Sequence, residues 1–284
     1  MRIVIKFAGA LLEKAEMVQQ LARQVAELAQ QGHELLVVHG GGKIFTGTLE
    51  RMGIKSRFVD GLRVTDKDTR DAAVMVFGGL LNKRLATAIS REGQAAVGIS
   101  AGDASCFLAE PFIHDEVAGS LGYVGYIVGV NVEFLESLWR ANVVPVASCL
   151  GLGEDGEIYN INADHMAAAC AEYVHAQRLI YLTDVAGVLD GKKIIRDVAC
   201  DEIGMLIQNR TVSGGMVLKL EAAKRALEGG VEQVRIIGGT VPNALLEAAR
   251  APVRAPRTRR VRALGTSVLP SSFPVRQMAS ASAE

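Results

Sequence analysis

Two hydrophobic rhythms alternate along this chain. Arg2–Phe7 and residues 35–38 are short, β-branched and apolar, and read as buried strands. Between them Val18, Leu21, Ala22, Val25, Leu28 and Ala29 recur at helical spacing, and Gly32 stops the helix. The pattern then repeats. Residues 65–91 form one long helical stretch. Residues 95–99, 143–147, 178–183 and 234–237 are further buried strands, with alanine-rich helices at 163–175 and 216–228. Strands alternating with helices predict right-handed βαβ units and a largely parallel sheet covered on both faces.

Two stretches break the rhythm. Residues 107–130 place Gly119, Gly122, Gly125 and Gly129 between short β-type runs, which predicts hairpins forming a lid or the edge of a subsite. Gly151, Gly153, Asp155 and Gly156 cluster where a lobe change is expected, between residues 150 and 158. No internal repeat is visible.

Composition narrows the class. The 284 residues carry no net formal charge and only 5% aromatics, against a base-stacking nucleic-acid platform. The six arginines at 250, 254, 257, 259, 260 and 262 are local and read as a solvated helix end and loop. No signal peptide and no apolar run long enough to span a bilayer is apparent, so no membrane association is expected. Cys106, Cys149, Cys170 and Cys200 are too widely spaced for a metal site, and a reduced, cytoplasmic setting is the simplest reading. Residues 270–284, rich in Ser, Ala and Pro, are expected to be a disordered tail.

The candidate chemistry lies where strands end. Lys6-Phe7-Ala8-Gly9 closes the first strand, at the position where open α/β sheets bind ligands. Alone it is as well read as a surface turn. His39-Gly40-Gly41-Gly42 closes the second strand, and three glycines let backbone N–H groups approach an anion. No Gly-Lys-Ser/Thr follows, so this is not a Walker loop, and the spacing is not a dinucleotide fingerprint. Arg63, in Gly61-Leu62-Arg63-Val64-Thr65-Asp66, could hold a carboxylate, with Thr65 or Asp66 capping the next helix. Asn160, Asn162 and Asp164 precede an alanine-rich helix; spacing alone favours turn and cap roles. Asp184 follows the fifth strand. Ser213-Gly214-Gly215-Met216, with Lys219 one turn on, opens a late helix.

Their order is more specific than any one of them. The motifs Lys6–Gly9, His39–Gly42, Gly61–Asp66, Gly98-Ile99-Ser100 with Gly102-Asp103, Tyr159–Asp164, Thr183–Gly187, Gly214-Gly215-Met216 with Lys219, and Leu264-Gly265-Thr266 resemble the amino acid kinase family, and most of all its acetylglutamate kinase branch. The match runs over residues 2–269. The resemblance implies an α/β fold, an open αβα sandwich whose central, mostly parallel sheet has about eight strands. It implies one domain, 1–269, with an acyl-amino-acid lobe at 1–150 and an ATP lobe at 151–269. It implies ATP with Mg²⁺ held mainly by the nucleotide's phosphates, N-acetyl-L-glutamate as substrate, arginine biosynthesis, and a homodimer.

Roles follow residue by residue from the resemblance. Lys6 and Lys219 would stabilise charge on the transferred phosphoryl group, and Asp164 would orient both. Gly9 would offer its N–H to the nucleotide's phosphates. Gly41, Gly42, Arg63 and Asn160 would bind the substrate, Arg63 through its α-carboxylate. Asp184, Val185, Ala186, Gly187, Val188 and Leu189, with Thr211, Val212 and Ser213, would line the nucleotide pocket. A carboxylate nucleophile is already ionised at neutral pH, so no general base is required.

Some positions depart from the family pattern. Ala8 stands where a glycine is usual, and costs nothing only if its φ is negative. Ala101, Ala104 and the stretch from Ile237 onward are also atypical. The chain begins at its first strand, without the extra helix of arginine-inhibited relatives, so weak arginine feedback is expected. Two alternatives stay open: a kinase for carrier-protein-linked aminoadipate or glutamate, and a non-catalytic nucleotide-binding relative.

Overall fold

A computed structural model describes residues 1–113, 121–251 and 264–271. Gly119, the arginines at 254, 257, 259, 260 and 262, and most of the expected tail lie outside the described residues.

The chain opens with β1 (Arg2–Phe7), α1 (Ala15–Gln30), β2 (Glu34–His39) and α2 (Gly42–Arg51). A small hairpin, β3 (Phe58–Val59) and β4 (Leu62–Arg63), leads into α3 (Lys67–Ala73), a π-helical stretch (Val74–Leu81) and α4 (Asn82–Arg91). Next come β5 (Ala96–Ile99), β6 (Phe107–Pro111), β7 (Val124–Val130), α5 (Val132–Arg140) and β8 (Val144–Ser148). The hairpin of β9 (Leu150–Gly153) and β10 (Ile158–Ile161) precedes α6 (Ala163–Tyr173) and β11 (Arg178–Thr183). A two-stranded ribbon, β12 (Leu189–Asp190) and β13 (Lys193–Ile194), precedes β14 (Asp197–Ala199). The described chain ends with α7 (Ile203–Gln208), α8 (Gly215–Glu228), β15 (Gln233–Gly238), α9 (Ala244–Arg250) and β16 (Thr266–Leu269).

Eight strands form the central sheet in the order β14-β16-β15-β11-β1-β2-β8-β5. The six from β15 to β5 are mutually parallel, and β16 runs antiparallel to β15. β1 lies in the middle, with β2 on one side and β11 on the other, so the topology switches direction beside it. A crevice outside the carboxyl ends of such strands is where open sheets take ligands.

The period-2 alternation of β1 decides which of its side chains meet which layer. Ile3, Ile5 and Phe7 pack with residues of α1, α4 and α9 on one face. Val4 packs on the other, among residues of α6 and α8. Lys6 shares the parity of Val4, so its side chain rises toward α6 and α8. That parity places its charge in the site.

The glycine-rich stretches build a second unit. β6, β7, β9 and β10 close into a four-stranded barrel. Of the hairpins expected at 107–130, the described residues show one antiparallel pair, β6 with β7, and the region where a lobe change is expected supplies the other two strands. Gly122, at φ +70°, joins the barrel to the segment before α3. A Cβ there would lie 2.2 Å from the Thr65 carbonyl oxygen, so only glycine fits. Thr65 and Leu121–Tyr123 exchange backbone hydrogen bonds of 2.9 and 2.7 Å. Arg70 of α3 pairs with Glu157 of the β9–β10 turn, and its guanidinium sits 4.4 Å from the centre of the Tyr123 ring.

Residues 67–91 form the expected continuous rod, capped by Asp66, whose Oδ1 accepts the Thr69 N–H at 2.8 Å. One correction concerns its composition. Lys67–Arg91 is long and apolar enough, by those measures alone, to cross a membrane. Half of its apolar window is buried inside the fold, as in a core helix.

Candidate active site

Two turns converge at the carboxyl ends of β1 and β2. Ala8, after β1, has φ −65° and ψ 141°, an ordinary extended conformation, so alanine costs nothing at this position. Its N–H bonds the Leu182 carbonyl of β11 at 2.9 Å. Gly9 then lies against the second turn. A Cβ on Gly9 would stand 2.8 Å from the Gly41 Cα and 2.9 Å from the Gly42 nitrogen. A Cβ on Gly41 would run into Leu81 Cδ1 at 2.1 Å. The two glycine turns are thus packed backbone to backbone, and Gly42 begins α2, whose first N–H groups have no intrahelical partner.

Beside this cradle lie the two lysines. Lys6, Lys219 and Asp164 are 6%, 6% and 8% exposed, although they come from β1, the second turn of α8 and the first turn of α6. Lys6 Nζ and Lys219 Nζ each stand 2.7 Å from the same oxygen, Asp164 Oδ1. Asn162 caps α6, its Oδ1 accepting the N–H groups of Asp164 at 2.9 Å and His165 at 3.2 Å, which fixes where the carboxylate points. Two ammoniums and one carboxylate leave a net charge of +1 beside backbone donors. In a low-dielectric site such a surplus is a strong attractor for an anion.

The protonation states follow from the packing. Burial pushes the Asp164 carboxyl upward, but the charges of Lys6 and Lys219 and their hydrogen bonds outweigh it and hold it far below the usual range. Burial lowers Lys219, as does the neighbouring Lys6 charge; Asp164 opposes both, and the result is about 8.

Arg63, on β4, packs against α2, the helix that begins at Gly42. Its guanidinium donates to Thr46 Oγ1 at 2.7 Å and to Ser56 Oγ, and lies 4.9 and 4.5 Å from the ring centres of Phe45 and Phe58. It is largely buried and has no acidic partner among the described residues. A buried guanidinium held only by hydroxyls and rings is set for an incoming carboxylate. Asn160 Nδ2 donates to Thr65 Oγ1 at 3.1 Å, so this amide is already oriented by the segment that carries Arg63.

The residues from 184 to 189 follow β11 on the other side of β1. Asp184 is exposed at the strand end and accepts from Thr183 Oγ1 at 3.1 Å. Ala186 is exposed, and Val185 and Leu189 are partly so. Gly187 is buried against Thr266, and the Val188 N–H bonds Thr266 Oγ1 at 2.8 Å. The Val188 and Val212 side chains belong to the core, so any contact they make with a nucleotide is through backbone. Thr211 is partly buried and Ser213 exposed, just before α8.

The described chain contains no group of three or more His, Cys, Asp or Glu side chains suited to a metal. All four cysteines are buried and free. His39 is likewise structural. Its Nδ1–H donates to the Gly40 carbonyl at 3.0 Å and its Nε2 accepts from Asn82 at 3.2 Å, while burial lowers it to about 4.

The sequence pattern of the amino acid kinase family matches residues 1–238. The chain belongs to this family. An acetylglutamate kinase of Koribacter versatilis is 48% identical over 254 residues, 89% of this chain and 96% of that one. An acetylglutamate kinase of Acidobacterium capsulatum is 48% identical over 239 residues, 84% of this chain and 90% of its own. Among solved structures, an N-acetylglutamate synthase of Neisseria gonorrhoeae, complexed with coenzyme A and N-acetyl-glutamate, shares the fold. Its TM-score is 0.80 at 24% identity, over 96% of this chain and 60% of that one.

Within this family member, residues far apart in sequence meet as the motif order implies: Lys6 with Lys219 and Asp164, and Gly9 with Gly41 and Gly42. Four residues beside the site were not legible in their roles. Of the two candidate caps, Thr65 and Asp66, it is Asp66 that caps α3, and Thr65 instead holds Asn160. Thr46 and Ser56 orient Arg63, but hydroxyl residues on a helix face or in a loop carry no distinguishing pattern. Tyr181 reads as one more apolar residue of a buried strand.

Proposed function

We propose that this chain transfers the γ-phosphoryl group of ATP to the side-chain carboxylate of N-acetyl-L-glutamate, giving N-acetyl-L-glutamyl 5-phosphate in arginine biosynthesis. The observation that carries the phosphoryl-transfer half is the buried Lys6–Asp164–Lys219 arrangement, with its surplus positive charge beside the Gly9 and Gly41–Gly42 amides. The acceptor half is supported by the acetylglutamate kinases that match at 48% identity over nearly their whole length.

ATP would supply the phosphoryl group, with Mg²⁺ on its phosphates neutralising part of their charge. The Gly9 and Gly41–Gly42 turns, packed backbone to backbone with no room for a Cβ on Gly9 or Gly41, would bring main-chain N–H groups close to a phosphate chain. Every other task falls to this chain. The Gly9, Gly41 and Gly42 backbones present N–H groups to anionic oxygens. Lys6 and Lys219 donate from both sides to charge that spreads over the phosphoryl oxygens in an in-line transfer. Asp164 holds the two ammoniums at fixed positions without accepting a proton. Arg63 grips the α-carboxylate and Asn160 the amino-acid portion, aiming the side-chain carboxylate at the cradle.

The nucleotide would lie against residues 184–189 and 211–213. In this reading the enzyme works as a homodimer in the cytoplasm. Val74, Met75 and Leu80 are exposed together on the 67–91 rod and offer an apolar seam to a second copy, and four buried thiols suit a reducing compartment.

An ADP-release assay over N-acetyl-L-glutamate, glutamate and aminoadipate, with and without a carrier protein, tests the reading. Activity on N-acetyl-L-glutamate alone supports it; activity only on a carrier-linked acceptor overturns it.

A further inference from the structure

Lys219 carries a charge in nearly complete burial, and Asp164 Oδ1 is shared with a second ammonium. One carboxylate oxygen is a thin counterweight for two cations. The remaining partner comes from the strand next to β1. Tyr181 pairs in register with Lys6 across β1 and β11 and so shares its face of the sheet. Its side chain is fully buried. Lys219 Nζ lies 4.9 Å from the centre of its ring. The Tyr181 hydroxyl reaches past it and donates to the backbone carbonyl of Asp164 at 3.1 Å. A single side chain thus touches the ammonium with its π face and the first turn of α6 with its tip.

We propose that Tyr181 is a positioning residue for phosphoryl transfer, holding Lys219 protonated and in place through its ring while its hydroxyl fixes Asp164.

The chemistry explains why an aromatic ring suits this place better than a second acid. A carboxylate beside Lys219 would also stabilise the ammonium. It would cancel the surplus positive charge that attracts and stabilises the phosphoryl oxygens. A ring face stabilises the cation through its quadrupole and adds no net charge. The field toward the cradle is therefore kept. Desolvation strengthens such a contact, and this one is buried. Burial, reinforced by the Asp164 charge, also raises the Tyr181 phenol well above its ordinary value, so the hydroxyl remains a donor throughout the working pH range.

The inference rests on the phosphotransferase reading above, and its test separates the two. The pH dependence of kcat/KM is measured by ADP release for wild type, Tyr181→Phe and Tyr181→Leu, with thermal unfolding of each. Absence of activity in wild type would defeat the functional reading itself. With wild type active, Tyr181→Phe keeps the ring, and the alkaline limb stays in place while the unfolding temperature drops. Tyr181→Leu loses the ring, and the limb moves to lower pH by about half a unit or more, with kcat falling more than KM rises.

Because leucine also changes volume, ring-fluorinated phenylalanines are placed at 181 as a near-isosteric series. The limb should move down progressively as fluorine withdraws π density. A limb that is unmoved across the fluorinated series, with Tyr181→Leu differing only in stability, would overturn the proposal and leave Tyr181 a packing residue.

Discussion

Gly9 and Gly41 sit on different strands' turns, yet a Cβ on Gly9 would stand only 2.8 Å from the Gly41 Cα. The obstruction is backbone on both sides, so no side chain can swing away to relieve it. Gly9→Ala must therefore push the two turns apart. The expected overpacking cost is about 1–3 kcal/mol in stability. The larger effect is on geometry, since a shift approaching 1 Å in the cradle lowers kcat/KM for ATP on the order of 100-fold. Steady-state kinetics with denaturant unfolding checks both. A variant with wild-type kinetics would show that the cradle does not hold phosphate.

Arg63 meets hydroxyls and rings but no acid among the described residues. Arg63→Lys keeps a charge and loses the planar fork. KM for the acyl amino acid should rise about 10- to 100-fold, with kcat changing less and KM for ATP unchanged. An equal rise in both KM values would mean that the change is structural rather than local.

Asp164→Asn conserves shape and removes the anion between two buried ammoniums. Breaking a buried ion network this way costs about 3–5 kcal/mol. An added polyphosphate should restore more stability to the variant than to wild type, because it supplies the missing charge. Thermal unfolding with and without ATP analogues measures this. Equal stabilisation of the two proteins would argue that nucleotide phosphate does not lie beside the lysines.

Much of this arrangement was legible in the sequence, and for physical reasons. Strand ends that carry Lys6, His39–Gly42 and Asp184 project into the same crevice in any parallel sheet with a central switch. The order of the motifs then fixed which turns those were. What stayed hidden depends on side-chain direction and long-range contact. The β6–β7–β9–β10 barrel closes by pairings that single-strand patterns do not encode. The π-helical turn at Val74–Leu81, which brings Phe77 and Leu81 onto Gly41, reads as ordinary helix. Tyr181 was invisible because a strand pattern distinguishes buried from exposed and not a ring from an aliphatic chain.

The lowered Lys219 sets a pH dependence whose sign can be worked out. Its value of about 8 in the folded protein is below that of an exposed lysine. The ammonium is therefore present below about pH 8 and is lost as pH rises through it. Free-enzyme kcat/KM should fall on that limb. In the nucleotide complex phosphate charge favours the ammonium, so the limb in kcat lies at higher pH. Asp164 stays ionised and adds no acid limb down to about pH 5. Lys219→Arg, whose charge does not titrate, should flatten the alkaline limb at reduced kcat. A limb that persists unchanged in Lys219→Arg would assign it to another group.

The most direct test of the central claim traps the product. Wild type and Lys219→Ala are incubated with ATP, Mg²⁺ and N-acetyl-L-glutamate in hydroxylamine, and the acyl hydroxamate is measured beside nucleotide binding. Wild type should yield hydroxamate only when N-acetyl-L-glutamate is present. Lys219→Ala should yield it roughly 100- to 1,000-fold more slowly, with a far smaller loss of nucleotide affinity. Hydroxamate formation at the wild-type rate in Lys219→Ala, or none from wild type, would contradict the account.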